Sequence, residues 1–118
     1  LALDVLLDTW PPGPFDAVFS ANTAHIMSEA AVEAMFRGVG AVLIADGRFL
    51  LYGPFMYDGR QTAPSNADFD RWLRHRDGGM GVRDVSWLKE VAEASGLSLD
   101  EDLEMPVNNR ILVWRKAA

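Results

Sequence analysis

The sequence predicts an α/β domain with a mainly parallel sheet that finishes in an antiparallel hairpin. Three observations predict it. Apolar runs of strand length, Phe15–Ala21 and Arg48–Tyr52, alternate with stretches of helical periodicity, the pattern of parallel strands joined by right-handed crossovers. Two more strand-like runs, Leu97–Met105 and Arg110–Trp114, close the chain across Pro106-Val107-Asn108-Asn109 with no helix between them, which is hairpin spacing. The run Phe15–Ala21 is almost wholly apolar, yet Ser20, Asn22, Thr23 and His25 gather at its carboxyl end. That reads as a strand buried on both faces, delivering polar groups where open parallel sheets bind their ligands.

A chain of 118 residues is one domain at most. Its 49% hydrophobic and 24% charged residues belong to a globular chain, and no apolar run approaches the roughly 20 residues that span a bilayer. No membrane partner is expected. The absence of cysteine excludes disulfides and thiolate metal sites and suits a reducing, cytoplasmic setting. A net charge of −6 argues against nucleic acid as partner, because a phosphate backbone needs clustered Lys and Arg. The one basic run, Arg71, Arg74 and Arg76 around His75, reads as a solvated helix face. His25 and His75 are far apart in the chain, so no metal site is expected.

In chain order, Leu1–Leu6 reads as the end of a strand. Because the chain opens there without an initiator Met, an upstream part is expected. Pro11, Pro12, Gly13 and Pro14 enforce a loop before the Phe15 strand. Ser28 is a suitable N-cap with Glu29 in the first turn, and Val32, Met35, Phe36, Val39, Val42 and Leu43 line one helical face. Gly38 and Gly40 weaken the second half, so the helix is expected to end near Gly38. Asp46-Gly47 marks a turn, and Arg48–Tyr52 is a strand stopped at Gly53-Pro54. Phe55–Ser65 reads as a loop able to form a lid or pocket wall. Ser65 with Asp68 has capping-box spacing ahead of a short helix whose apolar stripe is Phe69, Trp72 and Leu73. Asp84 caps the next helix, which buries Val85, Leu88, Val91 and Ala92 and stops at Ser95-Gly96.

A parallel sheet ending in an antiparallel hairpin resembles the carboxyl half of class I S-adenosylmethionine-dependent methyltransferases. Phe15–Asn22 with His25-Ile26-Met27 is similar to the fourth strand of that fold, and Gly40–Leu43 with Gly47–Phe55 is similar to its fifth-strand region. Ser65-Asn66, Met80–Asp84 and Met105–Arg110 resemble one branch of it, the methyltransferase-like family DUF938, also called UPF0585. The resemblance spans the whole chain and implies a single partial methyltransferase-like domain over residues 1–118, using S-adenosylmethionine when complete. It further implies that Leu1–Val5 ends the third strand, and that the other strands form the contiguous half-sheet four, five, seven, six. The Gly-rich turn that holds the cofactor in the first half of such folds has no counterpart here. The chain by itself is therefore expected to bind cofactor weakly or not at all, and to be inactive.

The resemblance assigns cofactor contacts to Asp4 and Val5 at the adenine and to Ser20 and Asn22 at the methionine end. It places His25 on the methyl-acceptor side. Sulfonium methyl transfer runs mainly on alignment, and a base is needed only when the acceptor must lose a proton. His25 is the candidate base, having a pKa near neutral; the competing reading is a histidine bonding nearby backbone. Asn22 either orients substrate or caps an Asx turn. Tyr52, Phe55 and Arg60 are the candidates for an acceptor pocket after the fifth strand, against ordinary packing and solvation. Asn108 and Asn109 most simply serve turn geometry. Ser20 is flanked by Phe19 and Ala21 and so lacks the Gly-x-Ser-x-Gly elbow of a hydrolase. The expected function is methyl transfer to a small molecule. The alternative is a non-catalytic half-fold that associates, as a homo-oligomer among other arrangements, through the open edge of the Phe15–Ala21 strand.

Overall fold

The computed structural model describes residues 13–118; the expected strand end at Leu1–Leu6, with Asp4 and Val5, lies outside the described residues. Strand β1 (Phe15–Ala21) leads through helix α1 (Glu29–Val42) to strand β2 (Leu43–Gly53). A small region follows, made of β3 (Phe55–Tyr57), β4 (Arg60–Gln61), helix α2 (Pro64–Arg76) and β5 (Arg83–Asp84). Helix α3 (Val85–Glu93) and the hairpin β6 (Leu97–Met105) and β7 (Asn109–Lys116) complete the chain.

The main sheet has the order β1-β2-β7-β6, the half-sheet that the resemblance implied. It is mixed, since β1 and β2 are parallel while β7 inserts between β2 and β6 and runs antiparallel to both. Alternation along the strands assigns the two faces. Phe49 and Leu51 of β2 and Leu112 and Trp114 of β7 are buried in one core with Val32, Met35, Phe36 and Val39 of α1 and Val85, Leu88 and Ala92 of α3. At its centre Phe36 meets Phe49 and Trp114 edge-on, with ring centroids 5.4 and 5.3 Å apart. Of the alternate residues on the other face, Leu50, Tyr52 and Ile111 are half-buried and Val113 is buried.

Helix α1 begins as expected, with the Ser28 hydroxyl accepting from the Ala31 N–H at 3.1 Å. It does not end near Gly38 but continues to Val42. The reason is a close helix contact: a Cβ on Gly40 would stand 2.6 Å from the Ser95 carbonyl oxygen, so glycine there lets α1 approach the end of α3. The Asp46-Gly47 turn signal lies inside β2 as a bulge. Between Phe15 and Ala17 the partner residue moves from Leu43 to Arg48, with Asp46 at φ 64°. The Asp46 carboxylate accepts from Arg115 at 2.7 Å and Lys116 donates to the Leu43 carbonyl at 2.8 Å, fastening the bulge to β7.

The segment after β2 is more ordered than a loop. Asp58-Gly59 closes the β3–β4 hairpin with positive φ at both residues, and β3 also pairs in parallel with β5. The Asp84 carboxylate accepts from the Asp58 and Gly59 N–H groups at 3.2 and 2.7 Å while capping α3 through the Ser86 N–H at 2.9 Å. Burial raises the pKa of Asp84, but these donors and the Ser86 hydroxyl outweigh it and hold the carboxyl below the usual range. Helix α2 starts one residue before the expected Ser65–Asp68 box, because Pro64 suits the first helical position. Its inner face is Asn66, Phe69 and Leu73, whereas Trp72 faces solvent with 55% of its surface exposed.

Candidate functional site

The carboxyl ends of β1 and β2 bring most of the expected site residues together. The Ser20 and Thr23 hydroxyls share a 2.6 Å hydrogen bond. Asn22 takes a left-handed conformation at φ 56° while its N–H extends the ladder to the Tyr52 carbonyl at 2.9 Å. A turn then closes from the Ile26 N–H to the Thr23 carbonyl at 3.1 Å, and the chain dips inward so that His25 is 6% exposed. Its ring meets Phe69 of α2 edge-on at 5.4 Å. Gly53 at the end of β2 presents no side chain here. A Cβ on it would lie 3.7 Å from His25 Nδ1 and 4.0 Å from Asn22 Oδ1, so its absence leaves a methyl-sized space between the two groups.

Burial, and then the positive charge of Arg83, lower the pKa of His25 from its usual 6.5. The imidazole is therefore neutral at physiological pH and able to accept a proton. Tyr52 is half-buried at the same end of the sheet, its hydroxyl accepting from the Asn109 side-chain amide at 3.1 Å. Phe55 is 1% exposed and belongs to the core, and its ring edge lies 3.9 Å from the same Cβ position on Gly53, so it borders the space between His25 and Asn22. Arg60 is exposed on β4 opposite Tyr57, in the outer hairpin. Asp4 and Val5 lie outside the described residues.

Helix α2 spans this end of the sheet. At its start the buried Asn66 amide donates to the Thr62 hydroxyl and to the Asn108 carbonyl in the β6–β7 turn, both at 3.1 Å. Phe69 then covers His25, and Asp70 accepts from the Val82 N–H at 2.8 Å. Sequence reasoning missed Asn66 and Gly53 and read Asn109 as turn geometry alone. The usable signal was a cluster of amide side chains at the hairpin tip that shares the site end of the sheet. Arg83 is engaged with backbone carbonyls of the loops around His25. A groove of about 280 Å³ between α1 and α3, lined by Glu33, Arg37, Glu90, Val91, Ala94 and Ser95, opens at the opposite end, toward the carboxyl terminus of α3. Among the described residues no group of His, Cys, Asp and Glu is placed to hold a metal ion, and no helix is long and apolar enough to cross a membrane.

This sheet order, with a polar cluster at the carboxyl ends of two parallel strands, defines a methyltransferase-like fold of class I, in its carboxyl-terminal half. The chain belongs to the family described as protein of unknown function (DUF938), whose model matches residues 1–116. Solved structures share the fold. The mitomycin 7-O-methyltransferase MmcR superposes with a TM-score of 0.82 at 23% identity over 99% of this chain and 33% of its own. Human N-acetylserotonin methyltransferase, solved with S-adenosylmethionine, gives 0.79 at 13% identity over 100% and 33%. CalO1, a methyltransferase in calicheamicin biosynthesis solved with S-adenosylhomocysteine, gives 0.73 at 20% identity over 86% and 30%. The chain thus spans about a third of the length of the solved structures it matches.

Proposed function

We propose that this chain is the acceptor-side portion of an S-adenosylmethionine-dependent methyltransferase acting on a hydroxyl group of a small molecule. The observation that carries the proposal is a neutral, buried His25 whose Nδ1 borders the space at Gly53, at the strand end where this fold binds ligands. The fold neighbours support the cofactor, since two of them were solved with S-adenosylmethionine or its demethylated product. The described residues suit its charged amino-acid end. Ser20 and the exposed, left-handed Asn22 offer hydroxyl, amide and backbone groups there, with Asp4 and Val5 proposed for the adenine.

When bound, the cofactor supplies a methyl group on a cationic sulfur. With an acceptor hydroxyl seated in the space at Gly53, His25 would take its proton, and the bound cofactor would supply the methyl group to the same oxygen. Tyr52 and Asn109 orient the polar part of the acceptor, and Phe69 excludes water from the imidazole. The acidic, cysteine-free composition suits a cytoplasmic enzyme of small molecules.

The test uses the full-length gene product with S-adenosylmethionine and a panel of hydroxyl-bearing acceptors. His25→Asn is expected to lower kcat by about 10²–10⁴-fold, the usual contribution of a positioned base, with cofactor affinity unchanged. The wild-type rate should be flat above neutrality and fall on the acid side of the lowered His25 pKa. Undiminished turnover in the variant would refute the assignment.

A second reading rests on β1, which has one sheet partner among the described residues and carries Phe19 with 62% of its surface exposed. On that reading the open edge pairs with another chain, a second copy included. Sedimentation of the 118-residue chain as a monomer across a wide concentration range would eliminate it.

A further inference from the structure

The loop that carries His25 is gripped by one side chain from the connection between α2 and α3. Arg83 is only 5% exposed although its charge is permanent. Its Nε donates to the Ala24 carbonyl at 3.1 Å, and its Nη2 donates to the carbonyls of Met27 and of Gly79, the latter at 2.6 Å. Ala24 and Met27 bracket the pair His25-Ile26, and the His25 carbonyl accepts from the Gly81 N–H at 3.0 Å. The backbone is thus held before, at and after the histidine by residues 81–83. Among the described residues the nearest carboxylate to Arg83 is Glu29, 4.0 Å away on an exposed side chain, so none of them holds the guanidinium in a close ion pair. Burial, the largest influence, lowers the Arg83 pKa, as expected for a cation held mainly by neutral carbonyls. Its other face lies over the Trp87 ring at 6.0 Å.

A buried charge costs desolvation energy unless it is well bonded, and an apolar side chain of similar volume fills such a space at less cost. What the apolar side chain lacks is a rigid planar fork that reaches three carbonyls in two different loops at once. We infer that Arg83 is a positioning residue for His25, fixing the backbone on both sides of it so that the imidazole stays between Phe69 and Gly53. The inference rests on His25 being the base, but its test separates the two ideas.

Arg83→Lys keeps the charge and removes the fork; Arg83→Met removes both. In each, thermal unfolding of the 118-residue chain is followed beside the NMR signals of the His25 ring, which are assigned by their disappearance in His25→Asn. In Arg83→Lys the ring signals should lose the displacement caused by the Phe69 ring, and the imidazole should titrate closer to 6.5. The charged groups around it are Arg83 itself and, behind it, Glu29 of α1 with Asp70 and Arg74 of α2. In the full-length gene product kcat should fall by about 10²-fold with an unchanged KM for S-adenosylmethionine, the cost of misplacing a reacting group by about 1 Å.

A folded Arg83→Lys chain with wild-type ring signals and titration overturns the inference. A measurement on the wild-type chain does not depend on the variants folding: the Arg83 Nε–H should exchange slowly and residues 24–27 should be as rigid as β2. A fast-exchanging Nε–H or a mobile 24–27 segment also overturns it. If His25→Asn leaves methyl transfer intact, the catalytic reading fails while the ring signals still report on Arg83. If His25→Asn abolishes transfer and Arg83→Lys leaves kcat unchanged, the positioning role alone fails.

Discussion

Strands β1 and β7 are similar in length and apolar character but have opposite surroundings. β7 has a partner on each side and places Leu112, Val113 and Trp114 in the interior, with Trp114 fully buried against Phe36. β1 pairs with β2 alone among the described residues, and Phe15, Ala17 and Phe19 are exposed along it. An apolar strand composition therefore states what environment a segment is suited to, and the surrounding chain decides whether it receives it. In β7 the requirement is met by β2 and β6. In β1 it is met on one side, and its carboxyl end has become the place where polar groups converge.

The contrast yields predictions in falling order of effect. Trp114→Ala should cost about 3–5 kcal/mol in denaturant unfolding, the range for an emptied aromatic site in a core. Gly40→Ala should destabilise the chain by about 1–3 kcal/mol although alanine is the better helix former, because the new methyl meets the Ser95 carbonyl. A neutral or stabilising result would mean that α1 and α3 move apart easily. Asp84→Ala should cost about 1 kcal/mol through the lost cap and hairpin donors. Phe19→Ser, on the open strand, should stay within about 0.5 kcal/mol in the isolated chain. A loss comparable to that of Trp114 would show that β1 is covered in solution and would remove the contrast.

Acid should act through two groups in sequence. Unfolded His25 binds a proton more readily than folded His25, so stability declines as pH falls below about 6.5 and until the lowered folded pKa is passed. Asp84, whose folded pKa lies below 3.8, contributes stability above that value and loses it as pH falls through its folded pKa. Urea midpoints measured from pH 8 to pH 3 should show both declines. The first should vanish in His25→Asn and the second in Asp84→Asn.

The Ser28 and Asp84 caps, the terminal hairpin and the cluster of Ser20, Asn22 and His25 were legible in the sequence, since each depends on local chemistry or a short period, whereas the sheet order was implied by the family resemblance alone. The β3–β4 hairpin was also written there, in Asp58-Gly59, but its strands are too short to register as a pattern. Other features depend on pairs distant in sequence. Gly40 reads as a weak helix position until Ser95 is beside it. Arg83 reads as a surface charge because its partners are carbonyls, which every residue possesses. Phe55 and Trp72 exchange the roles that their places in the sequence suggest, the loop residue filling the core and the stripe residue resting on Phe69 in solvent with Arg76 over its ring.

Tyr57 of β3 donates to the Asp102 carboxylate at 2.6 Å, and Asp102 also accepts from Arg110 at 2.7 Å, with the Arg110 guanidinium over the tyrosine ring. Burial, reinforced by the carboxylate, raises the tyrosine pKa, so the phenol remains a donor throughout the working range of pH. This bond stitches a three-residue strand to the outer hairpin of the main sheet. Amide protons of β3, which by its length alone would exchange with water in fast local openings, are thereby expected to keep the slower clock of β6 and β7.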